Sequence, residues 1–125
     1  MRNLLFCALA GALLAVAATP ALGASGTIRT TDRSGHAVYK LTERKDPDTG
    51  KIRRSLAIKA CDDRKDGAGI VAGVSGFGNV QSRGGVNTCG KLRRFSTTGR
   101  FRVRVCRQDA SNNGAFEKCR TRTVS

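Results

Sequence analysis

Arg100-Phe101-Arg102-Val103-Arg104-Val105-Cys106-Arg107 alternates arginine with an apolar residue over three periods. A two-residue repeat of this kind is the pattern of a strand with one buried face and one wet face. Phe101, Val103 and Val105 are then assigned to a core and Arg100, Arg102 and Arg104 to a surface, while Cys106 offers a covalent tie.

The same alternation extends outward from this strand. Over 36–42 it places Ala37, Tyr39 and Leu41 on one face and His36, Val38, Lys40 and Thr42 on the other. Lys45-Asp46-Pro47-Asp48-Thr49-Gly50-Lys51 is the strongest turn signal, because Pro presets φ, Asp bonds back to the backbone and Gly tolerates positive φ. Ile52 to Cys61 resumes the alternation, which predicts an antiparallel hairpin. Asp62-Asp63-Arg64-Lys65-Asp66-Gly67 reads as a second turn, and the continuous apolar run from Ile70 to Ser75 as a central strand. Gly76 to Gly85 holds four glycines and no lasting period, so it reads as a loop. Leu92–Thr97 and Phe116–Val124 read as strands, with Asn113-Gly114 favouring a hairpin turn between the last two. Ile28–Thr31 is a short first strand behind a frayed entry, Ala24–Thr27. No 3.6-residue apolar period persists beyond the N-terminal segment. The expected fold is all-β: a small antiparallel β-sandwich or barrel of six to eight short strands.

The N-terminus sets the expected compartment. Met1-Arg2-Asn3 carries a positive charge, Leu4–Ala18 is uncharged and apolar or small, and Pro20 precedes small residues at Ala21, Gly23 and Ala24. This is the layout of a secretory signal peptide over 1–23, cut after Gly23 or, second, after Ala24. The apolar run is 15 residues, short of the ~20 that span a bilayer as a helix. Cys7 leaves with it. The remaining 102 residues, 24–125, form one domain, expected to be secreted and monomeric.

Four cysteines remain, Cys61, Cys89, Cys106 and Cys119, spaced by 28, 17 and 13 residues. Those spacings lack the close pairs of a zinc site, so neither a metal nor a cofactor is expected. An even number in a short exported chain predicts two disulfides. Three pairings are open from sequence; Cys61–Cys89 and Cys106–Cys119 are favoured because sequence neighbours often face each other across a turn. A plain Cys106–Cys119 hairpin would set Val105 against Arg120 and Val103 against Arg122, mixing an apolar with a basic face. A one-residue bulge near Gly114–Cys119 is expected to repair this.

The chain carries a net charge of +14. Residues 91–125 hold 10 basic and 2 acidic side chains, against 12 and 7 over 24–90, so the last third dominates the field. Such a field draws polyanions: nucleic acid, anionic lipid or a cell-wall polymer. Alternate arginines stand about 7 Å apart, comparable with phosphates along a strand, and guanidinium suits phosphate bidentately. Arg93, Arg94, Arg100, Arg102, Arg104, Arg107, Arg120 and Arg122 are therefore the candidate polyanion contacts. Five such contacts would give a salt slope of about −4.5. A solvated face guarding a strand edge is the bland alternative. Phe95 and Phe101 lie nearby in sequence, but few aromatic stacking platforms are evident.

Catalytic signals are thin. His36 is the only histidine, and a base with Glu43 or Glu117 and an arginine has no supporting spacing. Gly73-Val74-Ser75-Gly76 lacks a nucleophile elbow's second glycine, and Gly73, Gly76 and Gly78 lack a phosphate loop's order. The 62–67 acids do not match a calcium loop. A non-catalytic binding or cell-surface accessory module is the leading expectation. A toxin acting on anionic membranes or RNA is the alternative. A protease inhibitor presenting 76–85 with Arg83 is a third.

A strand ending in Cys61-Asp62, then Asp66-Gly67, then Val103-Arg104-Val105-Cys106 and a late Cys119 resembles small exported proteins of actinobacteria. The excess of Arg over Lys, 16 to 7, fits a high-GC genome. The resemblance implies a disulfide-stapled β domain and no activity. Subtilisin inhibitors and chromoprotein apoproteins fit less well: this chain lacks a Cys-Pro-rich reactive region, Pro being confined to Pro20 and Pro47, and a short terminal cysteine pair.

Overall fold

A computed structural model describes residues 22–110 and 113–124. The expected signal peptide lies outside the described residues except for Leu22 and Gly23, which open the first strand; Ser111 and Asn112 of the third predicted turn also lie outside them.

The described residues form nine strands in two antiparallel sheets, with no closed barrel. Sheet A runs β1 (Leu22–Arg29), β2 (Gly35–Lys45), β3 (Ile52–Asp62). The far edge of β3 is shared by β6 (Thr88–Cys89) at one end and β7 (Arg93–Thr97) at the other. Sheet B has the order β5 (Gly78–Ser82), β4 (Gly69–Val74), β8 (Phe101–Asp109), β9 (Ala115–Val124). The expected hairpin is β2–β3, with Leu41 opposite Leu56 and Tyr39 opposite Ile58. Its turn closes through Asp46 N to Lys51 O and Gly50 N to Asp46 O, both 2.8 Å, with Gly50 at φ 70°.

Every second residue of each sheet enters one core. Ile28, Ala37, Leu41, Leu56, Ile58, Ala60 and Phe95 come from sheet A. Ile70, Ala72, Val74, Val80, Phe101, Val103, Val105 and Val124 come from sheet B. Phe101, Val103 and Val105 are 0% exposed, whereas Arg102 and Arg104 are exposed, so the arginine–apolar alternation is realised in β8. The continuous apolar run is β4, central as expected, and both disulfides form in the favoured pairing, Cys61–Cys89 and Cys106–Cys119.

Three expectations need correction. Ala24–Thr27 is not frayed and the first strand is not Ile28–Thr31: β1 starts at Leu22, pairs with β2 along its whole length and ends at Arg29, leaving Thr30 and Thr31 to the turn. The signal was hidden because the core-facing positions there are small. A Cβ on Gly26 would sit 2.4 Å from the Tyr39 hydroxyl, so the glycine is what lets the ring cover this part of β1. The expected cleavage after Gly23 would leave Ala24–Arg29 of that strand in the chain.

Residues 76–85 are not one long loop, because Gly78–Ser82 is edge strand β5 on β4. Its core face is Val80 and Ser82, and buried Ser82 broke the apolar period. The Ser82 hydroxyl is satisfied by Thr88 O at 2.9 Å. The inhibitor expectation thereby loses the extended loop it relied on.

The bulge lies where expected but acts differently. Val105 still pairs with Arg120 and Val103 with Arg122; the register shifts only between Val105 and Arg107, where Lys118 and Cys119 together oppose Cys106. Lys118 takes φ 52° as the inserted residue, and its carbonyl accepts from Thr31 N at 3.0 Å. Arg120 and Arg122 are tolerated on the core-facing side because β9 is an edge strand, where inward charge also blocks strand addition. The shift instead sets Glu117 opposite Arg107 in place of Lys118, and turns Phe116 to the outer face opposite Gln108.

The β1–β2 turn is organised by Asp32, whose Oδ1 accepts from Ser34 Oγ (2.7 Å), Ser34 N (3.0 Å) and Thr30 Oγ1 (3.0 Å). Burial alone would raise this carboxyl, but the Ser34 hydroxyl and amide, Thr30 and the Arg64 guanidinium outweigh it and hold it below the usual range. A lowered folded value means that this stability is present above the ordinary Asp range and is lost as pH falls through the folded value.

Candidate polyanion-binding face

The eight arginines singled out by sequence do not share one surface. Arg102 and Arg104 project from the outer face of sheet B, with Arg100 preceding them in the same alternation. Neither the Arg102 nor the Arg104 side chain makes a hydrogen bond or ion pair with another described residue. Arg94 belongs to the outer face of sheet A, opposite Ala57 and beside Lys40, Ser55 and Ser96.

Two of the others bridge the lateral edges of the sandwich. Arg93, on the core side of β7, donates to Asn79 O on β5 at 2.9 Å and lies 5.0 Å over the Phe95 ring. Arg122, on the core side of β9, donates to Thr27 O on β1 at 3.4 Å. Each joins the edge of one sheet to the edge of the other. Arg120 is exposed at the second edge.

Arg107 is an internal anchor. Its guanidinium meets Asp66 at 3.0 Å, Glu117 at 3.2 Å and Asp109 at 3.3 Å, and its side chain is 16% exposed. The hydrogen bond to Asp66, reinforced by Asp109, holds its proton more firmly than usual against the opposing effect of burial. It ties the β3–β4 turn to the β8–β9 hairpin.

Arg102 and Arg104 flank a shallow groove of ≈ 1000 Å³ whose lining contains no carboxylate. Gly73 opposes Arg104 across the ladder and forms part of the lining; a Cβ there would come within 3.1 Å of Asn79 Oδ1. Thr121, Asn79 and Ser75 add polar groups, and the Cys106–Cys119 disulfide holds the side nearest the bulge. Phe77 and Phe116, 40% and 52% exposed, also line it. Sequence reasoning named Phe95 and Phe101 as the nearby rings, but both are buried. It missed Phe77 inside a glycine-rich turn, and missed Phe116 because its face depends on the bulge. An exposed ring at a shifted register was the available signal.

The other polar clusters are separate. His36 Nδ1 lies 2.5 Å from Asp63 Oδ2, with Arg29 Nη1 3.7 Å away, on the outer side of sheet A. Glu43 instead pairs with Arg54 at 2.9 Å, and Glu117 with Arg107, so neither glutamate meets His36. The acids of the 62–67 turn diverge: Asp63 to His36, Asp66 to Arg107, and Asp62 to the Arg64 amide at 3.1 Å. No group of metal-liganding side chains gathers among the described residues.

Asp62 is the strained member. It is 3% exposed, and burial raises its carboxyl above the usual range; the Arg64 amide opposes this and the Asp66 and Asp63 carboxylates add to it. Because the folded value is raised, the ionised form opposes folding above that value, and the penalty fades as pH falls toward the unfolded value near 3.9. Asp62→Asn keeps an oxygen for the Arg64 amide and is expected to raise the melting temperature at pH 7. Wild type and variant should converge below about pH 4. A lower melting temperature at pH 7 would mean that the charge itself holds the turn.

No helix among the described residues is long and apolar enough to cross a membrane. No family model, no curated protein and no solved structure matches this chain.

Proposed function

We propose that the mature chain is an exported, non-catalytic module that binds polyanions, at or near a cell surface, through the outer face of sheet B. The observation that carries this is the pair Arg102 and Arg104: two guanidinium groups with no partner among the described residues, about 7 Å apart on a rigid central strand, beside a groove without carboxylates. A strand of this kind holds its charges in fixed register, so little ordering cost opposes binding. Export is supported by the N-terminal signal pattern and by the two disulfides, which persist in oxidising compartments. An origin in actinobacteria rests on the resemblance alone.

With Arg107 enclosed by three carboxylates and Arg93 and Arg122 tied by hydrogen bonds across the edges of the sandwich, the salt dependence should be shallower than eight arginines suggest. Contacts through Arg100, Arg102 and Arg104 give an expected slope of log K against log[salt] of about −2 to −3. Retention on immobilised heparin across a salt series measures it. Arg94→Ser, on the other sheet, should elute with wild type; an equal loss for Arg94→Ser and Arg102→Ser would move the site off sheet B.

A further inference from the structure

Resting on the polyanion reading, we infer that the sheet B groove is a single-stranded nucleic-acid site, in which Phe116 stacks a base while Arg102 and Arg104 hold phosphates. An anionic lipid head group or a polyphosphate needs only the cations. This groove adds exposed phenyl rings to them: Phe116 with 52% and Phe77 with 40% of their surface open, both lining the depression that Arg102 and Arg104 flank. Phe77 leans its other side on Phe95 and Phe101, at centroid distances of 5.8 and 5.3 Å, which fixes its orientation.

The placement of Phe116 follows from the fold. Without the extra residue at Lys118–Cys119, Phe116 would fall on the core side; the bulge delivers it to the arginine face, in the row of Gln108. From the Arg102–Thr123 row to the Gln108–Phe116 row are three two-residue steps, roughly 20 Å. That length accommodates a short extended strand with its phosphates along the arginines and a base over the ring. Arginine and aromatic groups along one groove are the pairing that single-strand binders use, with stacking tolerant of base identity. Paired bases in a duplex keep their faces covered and cannot use Phe116.

Fluorescence anisotropy of a labelled oligothymidylate of about ten nucleotides tests this. A duplex of the same length, polyphosphate of equal charge and anionic phosphatidylglycerol vesicles serve as competitors. The oligothymidylate is expected to bind at least tenfold tighter than polyphosphate or duplex. Phe116→Ala should weaken it about 5- to 100-fold and leave polyphosphate binding unchanged, while Phe116→Trp restores it; the circular dichroism spectrum should stay that of wild type. Arg102→Ser/Arg104→Ser should weaken all the polyanions. If oligothymidylate and polyphosphate bind equally and Phe116→Ala changes nothing, the stacking site is refuted and the polyanion reading stands. Tighter binding to vesicles than to oligothymidylate also refutes it. If no polyanion binds at low salt, both readings fall.

Discussion

Replacing Cys61 and Cys89 by serine is expected to cost about 3.6 kcal/mol of folding stability, and replacing Cys106 and Cys119 about 2.9 kcal/mol. These values follow from the 28- and 13-residue separations that the bonds close. The domain has a small core, and a typical domain retains only about 5–15 kcal/mol in all, so losing both bonds should leave it unfolded or marginal at 37 °C. The two losses should also differ in kind. Cys61–Cys89 secures β6, a two-residue strand held otherwise by Asp62–Thr88 pairing, by the amides of Asn87 and Gly90 and by the Ser82 hydroxyl on the Thr88 carbonyl. Its loss should release 83–92 early, as faster proteolysis of that segment. Cys106–Cys119 spans the bulge, so its loss should loosen the outer face of sheet B and weaken polyanion binding before global unfolding. Urea titration of each double-serine protein measures both effects; midpoints equal to wild type would contradict this assignment.

Arg107→Met is the second large effect. Methionine keeps most of the buried stem but removes the cation shared by Asp66, Asp109 and Glu117, whose side chains are 18%, 23% and 30% exposed. Breaking a fully buried ion pair costs about 3–5 kcal/mol; with this residual exposure the expected loss is about 2–3 kcal/mol. Part of that is carboxylate repulsion, so adding Glu117→Gln to Arg107→Met should recover some of it, a coupling that a double-mutant cycle reads directly. If Arg107→Met were neutral for stability but abolished polyanion binding, Arg107 would be a contact residue and its role as anchor would be wrong.

How far the fold could be read varied with the side chains involved. β8 and the β2–β3 hairpin were legible because large apolar residues alternate with charged ones. β1 was legible only over Ile28 and Arg29, and β5 not at all: the positions before Ile28 on the core side of β1 are Ala24 and Gly26, and one of β5's two is Ser82, so neither stretch carries a periodic signal. What identifies these strands is a partner elsewhere, the Tyr39 ring over Gly26 and the Thr88 carbonyl on the Ser82 hydroxyl. The disulfide pairing followed from proximity in sequence. Which arginines are engaged by other residues of the fold did not, because that depends on which sheet and which edge each strand occupies. Arg107 shares the phase of Phe101, Val103 and Val105, whereas Arg102 has the opposite phase, but the sequence does not show which partners an arginine on the core side would meet. The Arg102 side chain faces solvent with no partner among the described residues, and Arg107 meets three carboxylates brought by two different turns and a bulge.

On the proposed function, the outer face of sheet B, and Arg102 with Arg104 in particular, carries the binding of polyanions. This is tested most directly by comparing wild type with Arg102→Ser/Arg104→Ser for affinity to a single polyanion, such as heparin, from low to physiological salt. Wild type should bind with a slope of about −2 to −3, and the double variant, folded with an unchanged melting curve, should lose about two of the three contacts and flatten to a slope near −1. Equal affinity and equal slope in the two proteins would place polyanion binding elsewhere.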